Sequence, residues 1–281
     1  MHRWLMILSC GTRNNIVRYF KQELNGSGQV FAGDCSPLAP ALYDAHRYFI
    51  TPRIDDKDYL DYLLSICVEN HVDALLSLID PELNVLSKHR QEFLDIGTKV
   101  IVSDPDIVDL CYNKYSMYQY LMGRGFPTIR SYMDKEVFYK DIAVGEISYP
   151  VFVKPVNGSA SCNSYKVSSR EEIEILDRHC NDLMIQEYAD GVEFGADVYV
   201  DILSGQTVSI FTKEKIRMKA GETDKSVSVK DDKLFQLILD FTGKTSFRGI
   251  IDMDLYQVGG EYRILEVNPR FGGGAPMSIM A

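Results

Sequence analysis

At 281 residues the chain is long enough for one large domain or two ordinary ones, and it can bury about three quarters of its unfolded surface. With 46% hydrophobic and 25% charged residues, 20 Gly and 10 Pro, it falls with globular proteins, away from disordered and fibrous ones. Thirty Lys and Arg against 40 Asp and Glu give a net charge of −10 with no basic run, which argues against nucleic acid and anionic membrane as partners. The six cysteines, at 10, 35, 67, 111, 162 and 180, include no Cys-x-x-Cys pair, and no apolar run approaches a membrane span. The run 4–8 is too short for a signal-peptide core. These features predict a reduced, cytoplasmic protein without disulfides or a zinc site.

Residues 4–9 read as a buried strand, 14–24 as a helix and 30–34 as a second strand. Tyr59, Tyr62, Leu63, Ile66 and Cys67 recur at helical spacing after the acidic cap Asp55-Asp56, and 74–78 follows as a strand. Asp80-Pro81 marks a helix start, the aspartate capping free amides and the proline losing nothing at the first helical position. A strand at 100–102 completes an alternation that implies a parallel sheet. The loop 9–14 carries a single glycine, so it lacks the G-x-G-x-x-G spacing and reads as an ordinary strand-to-helix turn.

Past residue 110 the texture changes, with a seam near 103–113. Asp104-Pro105 caps a short helix, and 112–122 forms another that ends at Gly123. Longer, antiparallel strands follow at 151–155, 183–188, 194–201, 207–215, 248–256 and 261–267, with a further strand starting at Tyr165. Helices intervene at 169–179 and 231–241. The chain closes in the apolar stretch 276–281, which reads as the first turns of a core helix at a truncated C-terminus.

Three local signals carry chemistry. In Glu266-Val267-Asn268-Pro269-Arg270, strand alternation puts Glu266 and Asn268 on one face, a pair of hard oxygen ligands suited to Mg²⁺. Asp252 and Asp254 share a face one strand earlier, and a hairpin through Gly259-Gly260 can bring one or both beside Glu266. Arg270 and Gly272-Gly273-Gly274 then add a cation and bare amides. Second, Lys154 closes the apolar strand 151–153 and precedes the small-residue run 157–163, a lysine at the mouth of an anion-cradling loop. Third, the strand ending at Glu187 breaks into a turn that exposes backbone groups through Ala189, with Glu193 just beyond. Separately, Lys213, Lys215, Arg217 and Lys219 alternate with other residues, so one strand face carries four cations ahead of the polar loop 221–226. An arginine entering such a pocket can clamp a carboxylate, and Arg217 is the candidate. The five histidines form no ligand spacing.

In this order the motifs resemble the ATP-grasp superfamily over about residues 110–281, and within it the carbamoyl-phosphate-synthase large-subunit-like proteins. The resemblance implies an α/β plus α+β chain. An N-terminal open parallel, Rossmann-like pre-ATP-grasp domain would span 1–110, and an ATP-grasp domain 111–281 with a lid at about 128–188. Carried over by residue, Lys114 and Lys154 hold ATP phosphates under the 157–163 loop with Ser159. Main-chain groups of Glu187 and Ala189 bind adenine and Glu193 the ribose. Asp252, Glu266 and Asn268 hold two Mg²⁺ ions, Mn²⁺ substituting, and Arg270 lies near the transferred phosphoryl. Where members often carry further lid glycines, this chain has Ser161, Cys162 and Asn163. The implied activity is a ligase that makes an acyl-phosphate from a small carboxylate and joins it to an amine, with room for a homodimer. The alternatives are a carbamoyl-phosphate-synthase-like kinase and a non-catalytic ATP-binding regulatory module.

Overall fold

The structure is a computed structural model that describes residues 3–158, 163–219 and 221–280. Arg3–Leu8 (β1) turns alternate side chains into two apolar layers. Met6 and Leu8 pack with Phe31, Leu63 and Phe93, while Leu5 and Ile7 pack with Val17, Val30 and Leu42. A strand covered on both faces needs no polar positions, which is why this segment reads as an unbroken apolar run. Around it lie Asn14–Leu24 (α1), Gly28–Asp34 (β2), Arg47–Ile50 (β3), Tyr59–Glu69 (α2) and Ala74–Ser77 (β4). Asp80–Lys88 (α3), Arg90–Asp95 (α4) and Lys99–Val100 (β5) complete this half. The strands pair in parallel in the order β3-β2-β1-β4-β5, so the order reverses between β1 and β4 and opens a crevice at the loops 9–13 and 78–80. The edge strand β3 escapes a sequence reading because its four residues are mostly exposed and carry no alternation.

Pro105–Tyr112 (α5) and Lys114–Gly123 (α6) lead into the second half; the Asn113 side chain accepts from Ser116 N at 2.8 Å, so α6 starts two residues later than its pattern suggests. Ser131–Tyr132 (β6), Lys135–Ala143 (α7), Val151–Pro155 (β7), Tyr165–Val167 (β8), Arg170–His179 (α8) and Leu183–Glu187 (β9) form a small layer with strand order β6-β9-β7-β8. Phe138 and Ile173 from its helices pack on Val151, Val153 and Ile185. The larger antiparallel sheet runs β12-β11-β10-β13-β14. It comprises Val192–Val200 (β10), Thr207–Lys219 (β11), Glu222–Ser228 (β12), Gly249–Val258 (β13) and Glu261–Asn268 (β14). Asp232–Thr242 (α9) covers one face through Leu234, Ile238 and Phe241. Ala275–Met280 (α10) starts with Ala275 buried in the N-terminal apolar cluster.

Several local expectations need correction. Residues 221–226 are not a polar loop; from Glu222 they belong to β12, the return strand of a hairpin with β11. Neither Asp80 nor Asp104 caps its helix through its side chain: Asp80 binds Arg270 and Asp104 binds Arg90, because a guanidinium offers a carboxylate a stronger, charge-assisted bond than an amide does. The loop 9–14 is held as a turn by Asp34, which accepts from Gly11 N at 2.8 Å. Among the described residues Cys10, Cys35, Cys67, Cys111 and Cys180 are free thiols, and no helix is long and apolar enough to cross a membrane.

Candidate active site

Two cavities meet at the ends of β13 and β14. The first, of about 390 Å³, lies between the small layer and the large sheet and is lined by Lys114, Lys154, Glu187, Ala189, Glu193 and Glu266, among others. The second, of about 130 Å³, is closed from the N-terminal half by Arg13, Ile79 and Asp80 and from the sheet by Lys215, Asp252 and Arg270. Asp254, Glu266, Met218 and Gly221 border both. Folding thus gathers most of the residues singled out in the sequence. Ser159 lies outside the described residues.

Lys154 ends β7, whose hydrophobic residues take it into the layer, and is only 9% exposed. Among the described residues its ammonium makes no hydrogen bond and no ion pair within 4.0 Å. Burial pushes its ammonium below the ordinary lysine value and Lys114 adds to that, while Glu266 and Asp254 pull the other way. Lys114 sits at the N-terminus of α6, bonded to Gly158 O and 3.2 Å from Glu266 Oε1. Two ammonium groups therefore face one cavity, Lys114 paired with Glu266 and Lys154 with no carboxylate within 4.0 Å among the described residues.

The acids sit on paired strands. In the β13–β14 register Asp254 stands opposite Glu266 and Asp252 opposite Asn268, followed by a bulge at Asp254/Leu255. Asp254 is held by Lys215 Nζ at 2.5 Å, which also reaches Glu193 Oε1 at 2.8 Å; Tyr256 OH donates to Glu193 Oε2 at 3.2 Å. Burial opposes the charge on Lys215, but Asp254 and Glu193 outweigh it and raise its pKa. Asp252 lies deeper, 3.6 Å from Arg270 Nη1, and is pushed up to about 7 by burial, then by Asp254 and Asp197. Arg270 is buried and donates from Nε and Nη2 to Asp80 Oδ2 at 3.1 and 3.0 Å.

These oxygens fit Mg²⁺. Asp254, Glu266 and Asn268 are hard donors on adjoining strands, and the buried Asp197 Oδ1, on the strand beside β13, has no partner among the described residues. Gly272 presses on Asp252 so closely that a Cβ there would collide with its carboxylate. No three His, Cys, Asp or Glu side chains among the described residues already surround a single point. Gly272→Ala is expected to lower MgATP-dependent turnover at least about tenfold by displacing Asp252, with circular dichroism unchanged.

Arg217 does not join the site. Its side chain is 57% exposed and pairs with Asp224. The β11–β12 pairing shifts register twice, between Lys215 and Arg217 and between Arg217 and Met218. One extra residue reverses the faces of a strand, so Met218 takes the inward place after Lys215. The predicted face of four cations is thus broken: Lys213 and Lys215 are buried, each against an acid, and Arg217 points away. Gly195 makes this arrangement fit, since a Cβ there would meet Lys213 Cε at 3.0 Å and Lys215 Cε at 3.2 Å. Asp80, Arg13 and Met218 carried no site signal in the sequence. Asp80 read as a helix cap, and the others depend on chain crossings that no local pattern encodes.

A lysine-lined cavity under a small sheet, opening onto paired acids of a larger sheet, defines a nucleotide-grasping architecture. The chain belongs to the ATP-grasp family: the ATP-grasp domain model matches residues 111–274, and a PylC-like N-terminal domain matches residues 5–101. It is 25% identical over 198 residues to the carbamoyl phosphate synthase arginine-specific large chain of Geobacillus stearothermophilus, covering 65% of this chain but only 18% of that protein. Among solved structures it resembles N5-carboxyaminoimidazole synthetase from Staphylococcus aureus complexed with ADP, with a TM-score of 0.78 and 15% identity over 100% of this chain and 74% of that one. It also resembles L-amino acid ligase from Bacillus licheniformis, with a TM-score of 0.72 and 19% identity over 99% and 69% of the two chains. At these identities the structural likeness establishes the fold.

Proposed function

We propose that the protein is a Mg²⁺- and ATP-dependent ligase that activates a small carboxylate as an acyl-phosphate and joins it to an amine. The observation that carries this reading is the meeting of the two cavities at Asp254 and Glu266. A phosphoryl group held at that border can pass from nucleotide to acceptor without a protein nucleophile. In this reading the larger cavity takes ATP. Lys114 and Lys154 hold its phosphates, main-chain groups of Glu187 and Ala189 bind adenine, and Glu193 binds the ribose. Asp254 takes the metal place that the resemblance gave Asp252, because it is the acid opposite Glu266 and borders the larger cavity: Asp254, Glu266 and Asn268 would hold the metal, two Mg²⁺ ions with Mn²⁺ as a substitute, and Asp252 lies behind them. Mg²⁺ neutralises phosphate charge and aligns the oxygens for in-line transfer.

The smaller cavity takes the acceptor. Its carboxylate, oriented beside Arg270, attacks the γ-phosphorus and ADP departs. The amine then attacks the acyl carbon and releases phosphate. The protein positions oxygens and supplies fixed cations. The unpaired thiols accord with a cytoplasmic location. Calorimetry of ATP binding in excess Mg²⁺ tests the first step, with micromolar-range affinity expected and loss of binding in EDTA. Pairwise screening of carboxylates and amines for MgATP-dependent phosphate release tests the second. No ATP affinity at all would overturn the reading, and ADP release that needs no amine would replace the ligase with a kinase.

A further inference from the structure

The first turn of α3 carries two buried acids that the mechanism above does not use, Asp80 and Glu82. Both carboxylates leave the helix end and bind side chains. One oxygen of Asp80 accepts from Arg270 Nε and Nη2, 190 residues away in sequence, and the remaining terminal nitrogen, Nη1, donates to Phe271 O at 3.0 Å. The guanidinium is thereby fixed in plane and direction, with Asp252 at 3.6 Å beyond it. Glu82 fixes the turn itself. It is almost fully buried, and it accepts from Ser9 Oγ at 2.9 Å, from Tyr59 OH and from Ser77 Oγ. These donors come from the ends of β1 and β4 and from α2. The crevice of the parallel sheet is therefore pinned around α3, and α3 in turn holds Arg270.

We propose that Asp80 is a positioning residue through which the N-terminal half aims Arg270 at the reacting phosphoryl group, with Glu82 locking the turn that presents it. This rests on the assignment of Arg270 in the proposed function. Arginine has a long, flexible side chain, and a charge misplaced by 1 Å loses much of its effect on a transition state. Two bonds to a single buried carboxylate oxygen remove that freedom before substrate arrives. The N-terminal half then contributes to the phosphoryl step without touching the nucleotide.

The test is a double-mutant cycle on Asp80→Asn and Arg270→Met, read by MgATP-dependent phosphate release with the acid and amine found by the screen, and by calorimetry with MgADP. Asp80→Asn is expected to lower kcat about 10- to 100-fold with the MgADP affinity unchanged. The double variant should be no slower than Arg270→Met alone, because Asp80 acts through Arg270. Asp80→Glu should recover part of the rate. If Asp80→Asn does not fold, because the buried guanidinium is left with Asp252 at 3.6 Å as its one carboxylate, the double variant removes both charges and is compared with Arg270→Met directly. Losses that add, an MgADP affinity that falls in step with kcat, or an Asp80→Asn variant at full speed would each overturn the proposal. An Arg270→Met variant with normal turnover would instead overturn the role of Arg270 itself.

Discussion

Replacing Asp254 by asparagine is expected to cut MgATP-dependent phosphate release by at least about 10²-fold and to raise the Mg²⁺ concentration needed for half-maximal rate, as Glu266→Gln should also do. The register is the reason: these two carboxylates face one another across β13 and β14 and border both cavities. Asp252→Asn should behave differently. Asp252 stands opposite Asn268, packed against Gly272 and near Arg270, and it borders only the acceptor cavity. Its loss should slow turnover at saturating Mg²⁺ while leaving the Mg²⁺ half-saturation point near that of the parent protein. A titration in which Asp252→Asn moves that point and Asp254→Asn does not would reverse the assignment of the two acids. The fold should survive all three changes, since each swaps a carboxylate for an amide of the same size.

Lys154→Met is expected to weaken ATP binding at least about tenfold, as the loss of a charge-assisted contact of roughly 1.5–3 kcal/mol implies. Without ligand the same change should leave the melting temperature unmoved or raise it. Burial lowers the Lys154 pKa below its unfolded value of 10.5, so the folded state holds its proton less tightly than the unfolded chain does. Below the lowered pKa both states are charged and the folded state bears the full cost of a buried ammonium. As pH rises from the lowered pKa towards 10.5 the folded state loses its proton first, and the cost fades. The stability gained by Lys154→Met should therefore be largest at neutral pH and shrink as pH climbs towards 10.5. Denaturant titrations of both proteins across that range measure this. A large loss of ligand-free stability with unchanged ATP affinity would make Lys154 a structural residue.

Much of this protein can be read locally. The unbroken apolar runs of β1 and β7 and the alternation of β13 and β14 follow from which faces those strands bury, and a strand shows its burial in its own residues. The helix α9 is legible for the same reason, with Leu234, Ile238 and Phe241 buried at helical spacing, while α8 is marked by its Ser169 cap, acids in its first turn and bases in its last. The short strand β6 is not legible, because it has only two residues and so shows no alternation.

Within the site, the sequence by itself determined that Lys154 closes a buried strand and that Glu266 and Asn268 share a face. Both follow from alternation along one strand, which depends on nothing distant. What the sequence left open was decided by pairing between strands and between halves. Asp254 rather than Asp252 stands opposite Glu266 because the β13–β14 register and its bulge set which residues meet. Arg217 turns outward and Met218 inward because the β11–β12 register slips, and a one-residue slip exchanges the faces of everything beyond it. Asp80 leaves its helix end for Arg270 because the fold buries a guanidinium beside it, and a buried cation without a carboxylate would cost more than an uncapped helix. Register and burial depend on contacts between distant residues, 190 positions apart for Asp80 and Arg270 and 258 for Arg13 and Phe271, so only the folded chain specifies them.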